Sequence, residues 1–180
     1  SMRQGRQLVG WGMAGGVWEA MQMKASAKAS IDSSGKLTVG SATTDIGTGT
    51  YTVMTQIAAE AAGMAPQDVT FVLGDSSLPT APLQGGSFTV SSVGTAVQQA
   101  CRALRAKLLD AVRMAHPEFA VVDMEEVGFG DGFLHIRGQR FSYADIVRAS
   151  SHETLDVQVD AEPDEKREGY STATHSAVFV

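Results

Sequence analysis

The stretch TTDIGTGTYTVMTQIAAEAAG, at residues 43–63, decides the fold. It opens with a glycine-containing turn and continues from Tyr51 as a run whose apolar side chains recur every four residues. These apolar positions are Val53, Ile57 and Ala61. That spacing predicts an amphipathic helix, and Gly63 with the following Pro66 is a typical helix stop signal. The stretch therefore predicts a loop that leads directly into a helix.

Strands are predicted on both sides of this helix. Upstream, alternating apolar and polar residues predict a strand at 21–31, a turn at 32–35 and a return strand at 36–39. Downstream, the run DVTFVL at 68–73 predicts a third strand. Apolar positions at helical spacing from Val93 to Ala115 then predict a long second helix.

This order of elements predicts an α+β fold built on a β-β-α-β-α unit. We expect a two-layer α/β sandwich in which both helices cover one face of a mixed sheet. We assign residues 1–20 to an N-terminal arm, 21–124 to the α+β layer and 125–180 to a smaller β-rich segment. Because the chain ends inside an apolar run, we expect this segment to be truncated at its C-terminal end.

Within the β-rich segment, glycines at 130 and 132 predict a hairpin between strands at 125–129 and 133–137. A short helix is predicted at 143–149, capped near Ser142. Further strands are predicted at 155–159 and 174–180, separated by a charged, proline-containing loop.

Composition excludes several classes of protein. In 180 residues, 43% are hydrophobic and 19% charged, and no apolar run approaches the length of about 20 residues that a membrane span needs. The net charge is −6 and the basic residues are scattered, so a nucleic-acid partner is not expected. A single cysteine and four unpaired histidines predict no protein-ligated metal. The N-terminus carries no secretion signal, so we expect a cytoplasmic protein, with the periplasm as the open alternative.

Two loops suggest chemistry, because each is glycine-containing and leads into a predicted helix. They are residues 45–52, DIGTGTYT, and residues 84–89, QGGSFT. Glycines let a ligand approach the backbone, and a helix start offers unpaired N–H groups that suit oxyanions. A Gly-x-Gly turn before a helix also commonly serves only to turn the chain, and the phosphate-loop lysine is missing. These residues alone leave both interpretations open.

In combination, four segments resemble one enzyme family. The segments are DIGTGTYT, QIAAEAAG at 56–63, LGDSSLPTAP at 73–82 and GGSFTVSSVGTAVQQAC at 85–101. Their order and intervals resemble the second molybdopterin domain of the xanthine oxidase and aldehyde oxidase family of molybdenum hydroxylases, in particular its bacterial aldehyde-oxidase-like members. The chain is identified on this basis as an internal fragment of a molybdopterin-binding large subunit.

The resemblance implies which residues contact the cofactor. In the first loop these are Gly47, Thr48 and Gly49, with Thr48 standing where the family commonly has glutamine. In the second loop they are Gly85, Gly86, Ser87, Phe88 and Thr89. Gly86 falls where many members have alanine beside the molybdenum. Because threonine is shorter than glutamine, contact at position 48 is expected through the backbone.

The resemblance also implies a function for the parent enzyme. It would hydroxylate aldehydes or aromatic N-heterocycles with oxygen from water and pass electrons to iron–sulfur and FAD subunits. The cofactor would be molybdopterin, in its cytosine dinucleotide form. The family's catalytic glutamate lies beyond the part of the sequence that this chain resembles, so we expect no catalytic residue here, an inactive fragment and no bound cofactor. The alternatives are a non-catalytic small-molecule or anion-binding module and a subunit-interface domain.

Overall fold

The computed structural model describes residues 2–19, 21–163, 165 and 173–179. Its strands are β1 (Met2–Gln4), β2 (Gln7–Val9), β3 (Met13–Glu19), β4 (Ala25–Asp32), β5 (Leu37–Gly40), β6 (Val69–Val72), β7 (Val127–Gly130), β8 (Phe133–Ile136), β9 (Gln139–Ser142), β10 (Thr154–Ala161) and β11 (Ala173–Phe179). Its α-helices are α1 (Thr50–Ala62), α2 (Thr95–Ala115) and α3 (Tyr143–Ala149). Single turns of 3-10 helix lie at Pro66–Asp68, Pro117–Phe119 and Met124–Glu126.

Contacts divide the chain into two compact units. The larger unit is Gln22–Pro163, and the smaller combines Ser1–Met21 with Asp164–Val180. In the smaller unit β1 pairs with β2 and β3 pairs with β11, both antiparallel. The strand predicted at 174–180 is therefore confirmed, whereas most of the predicted loop at 162–169 lies outside the described residues.

The larger unit is built on a four-stranded sheet with the order β10-β4-β5-β6. β4 is antiparallel to both β10 and β5, and β5 is parallel to β6, so the sheet is mixed as predicted. On β4 the side chains of Ala25, Ala27, Ala29 and Ile31 are buried, whereas Lys28 between them is exposed. Because successive strand residues point to opposite faces, this alternation gives the sheet one apolar inner face.

Both long helices pack against that inner face. Met54 and Ala58 of α1 and Val97 and Leu104 of α2 are buried in the same hydrophobic cluster as the inner residues of β4. α1 ends as the sequence predicts, at Gly63, which has a left-handed φ of 70° and donates its N–H to the last turn. The predicted α+β fold and the order of its elements are confirmed.

The first strand starts later than predicted. Residues 21–24 were expected to belong to it. In the structure β4 begins at Ala25, and its pairing with β10 begins at the same residue. The preceding residues bond elsewhere: Gln22 Nε2 donates to the Ser91 carbonyl at 2.9 Å, and Met23 N–H donates to Ser92 Oγ at 2.9 Å. These bonds tie the segment before β4 to the chain that enters α2.

Residues 127–142 form a three-stranded antiparallel meander, β7-β8-β9. The sequence predicts the first hairpin but misses β9. The β8–β9 turn uses Arg137 and Gly138, both left-handed at φ 46° and 82°, and arginine is not a residue that favours such a turn. α3 is capped as predicted, with Ser142 Oγ accepting from Asp145 N–H at 3.1 Å.

Among the described residues, no helix combines the length and the apolar character that crossing a bilayer requires.

Candidate functional site

The two glycine-containing loops border one depression, which we call the loop concavity. It has a volume of about 370 Å³ and is lined by Ile46, Thr48, Thr50, Val53, Gln84, Gly85, Gly86, Ser87, Thr89 and Val90. The two loops, which lie about 40 residues apart in the sequence, therefore come together in the structure. Of the predicted contact residues, Gly47, Gly49 and Phe88 do not line the concavity. The predicted contact set lacks the five residues that complete its wall, which are Ile46, Thr50, Val53, Gln84 and Val90.

In the first loop the two glycines allow backbone conformations that other residues rarely adopt. Gly47 and Gly49 have φ values of 98° and 80°, a region that residues with a side chain rarely adopt. A Cβ built at either position would meet no heavy atom within 4 Å. The turn is therefore free of packing neighbours on that side, which leaves room for a ligand to approach the chain.

Asp45 provides the capping group for the start of α1. Its Oδ1 accepts from Gly47 N–H at 2.8 Å and its Oδ2 accepts from Tyr51 N–H at 3.4 Å. These backbone N–H donors, Gly47 first, lower the pKa of the Asp45 carboxyl, so it is ionised at neutral pH. The expectation that the N–H groups of this loop are open to an oxyanion is therefore wrong for Gly47 and Tyr51, because a carboxylate of the chain already accepts from them.

Two threonine hydroxyls face each other beside the turn. Thr48 Oγ1 and Thr50 Oγ1 lie 3.3 Å apart; Thr50 is buried, whereas Thr48 is exposed. A hydroxyl both donates and accepts hydrogen bonds. The pair gives this side of the concavity polar groups that carry no charge.

The second loop is anchored by a buried phenylalanine. Gly86 and Ser87 both have left-handed backbones, with φ values of 63° and 59°. Such a conformation is uncommon for serine and indicates a loop held in place by its surroundings. The Phe88 side chain is buried, and its carbonyl accepts from Ser92 N–H at 3.0 Å and from Ser91 Oγ at 2.9 Å. The buried side chain and the two hydrogen bonds to its carbonyl therefore fix Phe88 where the loop meets the following helical turn.

A π-helical turn, Val90–Gly94, connects this loop to α2. The sequence predicts an ordinary helix here, because an inserted residue leaves the apolar spacing almost unchanged. The Ser91 carbonyl in the turn accepts from Thr95 Oγ1 at 2.7 Å and from Gln22 Nε2 at 2.9 Å. Turns of this kind occur often at functional sites, where they change the direction of the chain entering a helix.

The long segment at 74–86 is fixed to the ends of the central strands. Ser26 N–H donates to the Thr80 carbonyl at 2.7 Å, and Ala42 N–H donates to the Pro79 carbonyl at 2.7 Å. The hydroxyl of Thr43, itself buried, donates to Gln84 Oε1 at 3.2 Å. These bonds, which span 37 to 54 residues of sequence, bring the second loop to the first.

The concavity is uncharged, and its lining is mostly apolar with a few polar groups among the apolar ones. None of the described residues that line it is an aspartate, glutamate, lysine, arginine or histidine. Nor do the described residues contain any group of three or more histidine, cysteine or carboxylate side chains that could hold a metal ion. The donor set consists of hydroxyls, one carboxamide and backbone groups, which suits a polar ligand surface with both hydrogen-bond donors and acceptors.

A larger depression, of about 650 Å³, lies on the outer face of the sheet. Its wall includes Lys28, which pairs with Asp156 at 3.1 Å, and Gln158 of the edge strand β10. It contains none of the predicted site residues, and its size reflects an uncovered sheet face.

Comparison with known proteins gives a consistent result. A family described as "Molybdopterin cofactor-binding domain" matches residues 1–179. The aldehyde oxidoreductase molybdenum-binding subunit PaoC of Escherichia coli (strain K12) is 36% identical over 131 residues, which is 73% of this chain and 17% of that protein. The chain thus spans under a fifth of the length of this curated relative.

Solved structures share the fold. Quinoline 2-oxidoreductase from Pseudomonas putida 86 aligns with a TM-score of 0.73 at 18% identity, over 95% of this chain and 24% of that chain. CO dehydrogenase from Oligotropha carboxidovorans aligns with a TM-score of 0.75 at 18% identity, over 94% of this chain and 23% of that chain.

Proposed function

The chain belongs to the molybdopterin cofactor-binding domain family, and from this membership we propose that the loop concavity contacts the molybdopterin cofactor of a larger molybdenum hydroxylase. The observation that carries the proposal is the convergence of the two glycine-containing loops on one depression. In the proposal Thr48, Gly85, Gly86, Ser87 and Thr89 contact the cofactor from the lining of the concavity, with Gln84 and Thr50 added from the structure. The other predicted contacts, Gly47, Gly49 and Phe88, lie next to these lining residues in the chain and are proposed to contact the cofactor only through their backbones.

The residues present fit the pterin part of such a cofactor. Pterin edges carry hydrogen-bond donors and acceptors, and the hydroxyls of Thr48 and Thr89 with the Gln84 carboxamide offer both. Open space beside Gly47 and Gly49 allows close approach to the backbone. The volume of about 370 Å³ lies at the small end of the range of about 300–1,000 Å³ for ligand pockets. The concavity would thus hold one part of the cofactor, and other segments of the subunit would hold the rest.

These residues would bind and orient, and they supply no bond-making group. When bound, the cofactor supplies the molybdenum redox centre at which oxygen from water is transferred to the substrate. The Gln84 side chain accepts a hydrogen bond from the buried Thr43 hydroxyl. This bond would fix the position of one wall of the concavity relative to the turn at 47–49. Phe88, whose side chain is buried, would hold Gly86 and Ser87 against the cofactor.

The finer parts of the proposal are carried over from the resemblance to bacterial aldehyde-oxidase-like members. The cofactor is proposed to be the cytosine dinucleotide form, the substrates aldehydes or aromatic N-heterocycles, the partners iron–sulfur and FAD subunits, and the location the cytoplasm. Acid hydrolysis of the full-length subunit should then release cytidine monophosphate in a 1:1 ratio to molybdenum. Release of a different nucleotide, or of none, would contradict the dinucleotide assignment.

The cofactor contact is tested by filling the concavity. Gly85 has an ordinary φ, and a Cβ there would meet only Leu83 Cδ1 at 3.1 Å, the end of an exposed side chain that can move. Gly85→Leu therefore adds bulk without backbone strain. In the full-length subunit we expect molybdenum and pterin per polypeptide to fall about tenfold, which corresponds to about 1.4 kcal/mol of lost binding.

The matched control is Gly130→Leu, because Gly130 also has an ordinary φ and open space around a Cβ, but lies on β7 outside the concavity. The control should retain the wild-type cofactor content. If Gly85→Leu also retains it, the concavity does not contact the cofactor. The binding-module alternative, which the threonine at position 48 keeps open, would then be tested by measuring the affinity of the concavity for free pterin.

A further inference from the structure

The Asp45 side chain accepts backbone hydrogen bonds both from the turn at 47–49 and from the first turn of α1. Its Oδ1 accepts from Gly47 N–H at 2.8 Å and its Oδ2 from Tyr51 N–H at 3.4 Å. α1 has no side-chain cap of its own, since Gly49 occupies the N-cap position. Asp45 precedes the turn in the sequence, and each of its two side-chain oxygens accepts a hydrogen bond from a backbone N–H group.

The turn has little else to hold it. Gly47 and Gly49 take left-handed φ values of 98° and 80°, and neither has a packing neighbour where a Cβ would lie. Glycine has access to many more backbone conformations than other residues, so a turn with two glycines needs an external constraint to keep one of them. The hydrogen bonds to Asp45 supply that constraint.

We infer that Asp45 is a positioning residue for the cofactor: its side-chain oxygens hold the backbone of Gly47, Thr48 and Gly49 in the conformation that faces the loop concavity. Asp45 is not itself among the residues that line the concavity. It acts through the turn, and the inference rests on the proposed function. Outer-shell groups of this kind typically change metal-site affinity about 10–100-fold when they are removed.

A second consequence concerns the charge of the ligand. The positive end of α1 faces the Asp45 carboxylate, which occupies the place that an anion takes at many helix starts. The side of the concavity formed by Thr48 and Thr50 therefore presents uncharged hydroxyls. Asp45 favours an uncharged, polar part of the cofactor at this loop over a phosphate.

The chain contains a matched control for the test. Asp75 makes the same local bond as Asp45, since its Oδ1 accepts from Ser77 N–H, two residues on, at 2.8 Å. Backbone N–H donation, from Ser77, also lowers the pKa of the Asp75 carboxyl. Neither Asp75 nor Ser77 lines the loop concavity. A general effect of losing such an aspartate would appear equally at both positions.

The experiment compares Asp45→Ala, Asp45→Asn and Asp75→Ala in the full-length subunit. Molybdenum and released pterin are measured per polypeptide, and hydrogen exchange by mass spectrometry is followed in peptides that cover residues 45–53. Asparagine keeps the side-chain oxygen that accepts from Gly47 N–H, so it should rescue the turn. We expect Asp45→Ala to lose about tenfold in cofactor content and in exchange protection. Asp45→Asn should retain most of both, and Asp75→Ala should match wild type.

Two results would overturn the inference: wild-type cofactor content in Asp45→Ala, or equal depletion in Asp45→Asn and Asp45→Ala, which would exclude the hydrogen-bond acceptor as the cause. Failure of the proposed function is distinguishable from both. In that case Gly85→Leu would also keep its cofactor, whereas failure of the Asp45 inference alone leaves Gly85→Leu depleted and Asp45→Ala loaded.

Discussion

Tyr143→Phe removes a buried hydroxyl that ties α3 to the C-terminal end of α1. Tyr143 is only 2% exposed, and its Oη donates to the Ala62 carbonyl at 2.6 Å. Phenylalanine keeps the ring and its packing, so the change removes the hydrogen bond to the buried Ala62 carbonyl together with the interaction between the hydroxyl and Arg105. A loss of that kind costs about 1–2 kcal/mol of the free energy of unfolding near neutral pH.

The cost should depend on pH in a defined direction. Burial raises the pKa of Tyr143 to about 12, whereas an unfolded tyrosine titrates near 10. Between these values the unfolded chain loses a proton that the folded chain keeps. The stabilisation from this group is therefore complete below about pH 10 and is lost as pH rises towards 12, at about 1.4 kcal/mol per pH unit. The phenylalanine variant lacks this titrating hydroxyl. The free energies of unfolding of the two proteins should therefore become equal at about pH 11.

Urea unfolding of the chain at pH 8, 10 and 11, with a reductant present, tests both parts. Cys101 is also buried and its pKa is raised to about 12, but it is common to both proteins and its contribution cancels in the difference. The variant should show a lower midpoint at pH 8 with an unchanged slope, and the gap should close by pH 11. Parallel curves from pH 8 to 11, or no gap at pH 8, would refute the buried hydrogen bond.

Two further predictions concern the close approach at the end of α1 and the completeness of the site. Gly63 and Gly132 have similar left-handed φ values of 70° and 75°, but a Cβ at Gly63 would lie 2.6 Å from the Phe129 carbonyl oxygen, whereas one at Gly132 would meet nothing within 4 Å. Gly132→Ala should therefore lower the free energy of unfolding, measured in urea, by about 1 kcal/mol. Gly63→Ala should lower it by at least about 2 kcal/mol more, and equal losses in the two variants would contradict the steric argument. The 180-residue chain supplied with an aldehyde and an electron-accepting dye should show no turnover, because none of the described residues that line the loop concavity can act as a general base; measurable dye reduction would contradict this reasoning.

The parts of the fold that the sequence predicts are those set by local spacing. The alternation along β4 and the four-residue repeat of α1 are both visible in the chain and both appear in the structure. β9 was missed because its turn needs a left-handed Arg137, and nothing in the sequence around that residue indicates such a backbone. The early start predicted for β4 failed for a different reason: Gln22 and Met23 bond to residues almost 70 positions away, which local spacing cannot indicate.

The same distinction applies to the site. The glycines at 47, 49, 85 and 86 mark the loops, and helical spacing behind each loop indicates that a helix follows. Gln84 was missed because its position depends on a hydrogen bond from Thr43, 41 residues earlier. The π-helical turn at Val90–Gly94 was missed because one inserted residue does not disturb the apolar repeat enough to be seen. A run of two serines before a helical glycine was the available signal, since both serines make the bonds that support the turn.

The chemistry of the first loop depends on Asp45 more than on its glycines. Sequence reasoning treats the N–H groups of a Gly-x-Gly turn before a helix as donors for a phosphate or another oxyanion. An aspartate two residues before the first glycine is itself placed to accept from that glycine, because aspartate readily bonds the backbone N–H two residues on. Here it does so at 2.8 Å and also reaches the first turn of α1. A Gly-x-Gly turn that follows such an aspartate should therefore be interpreted as already holding its anion, and the ligand surface beside it as uncharged.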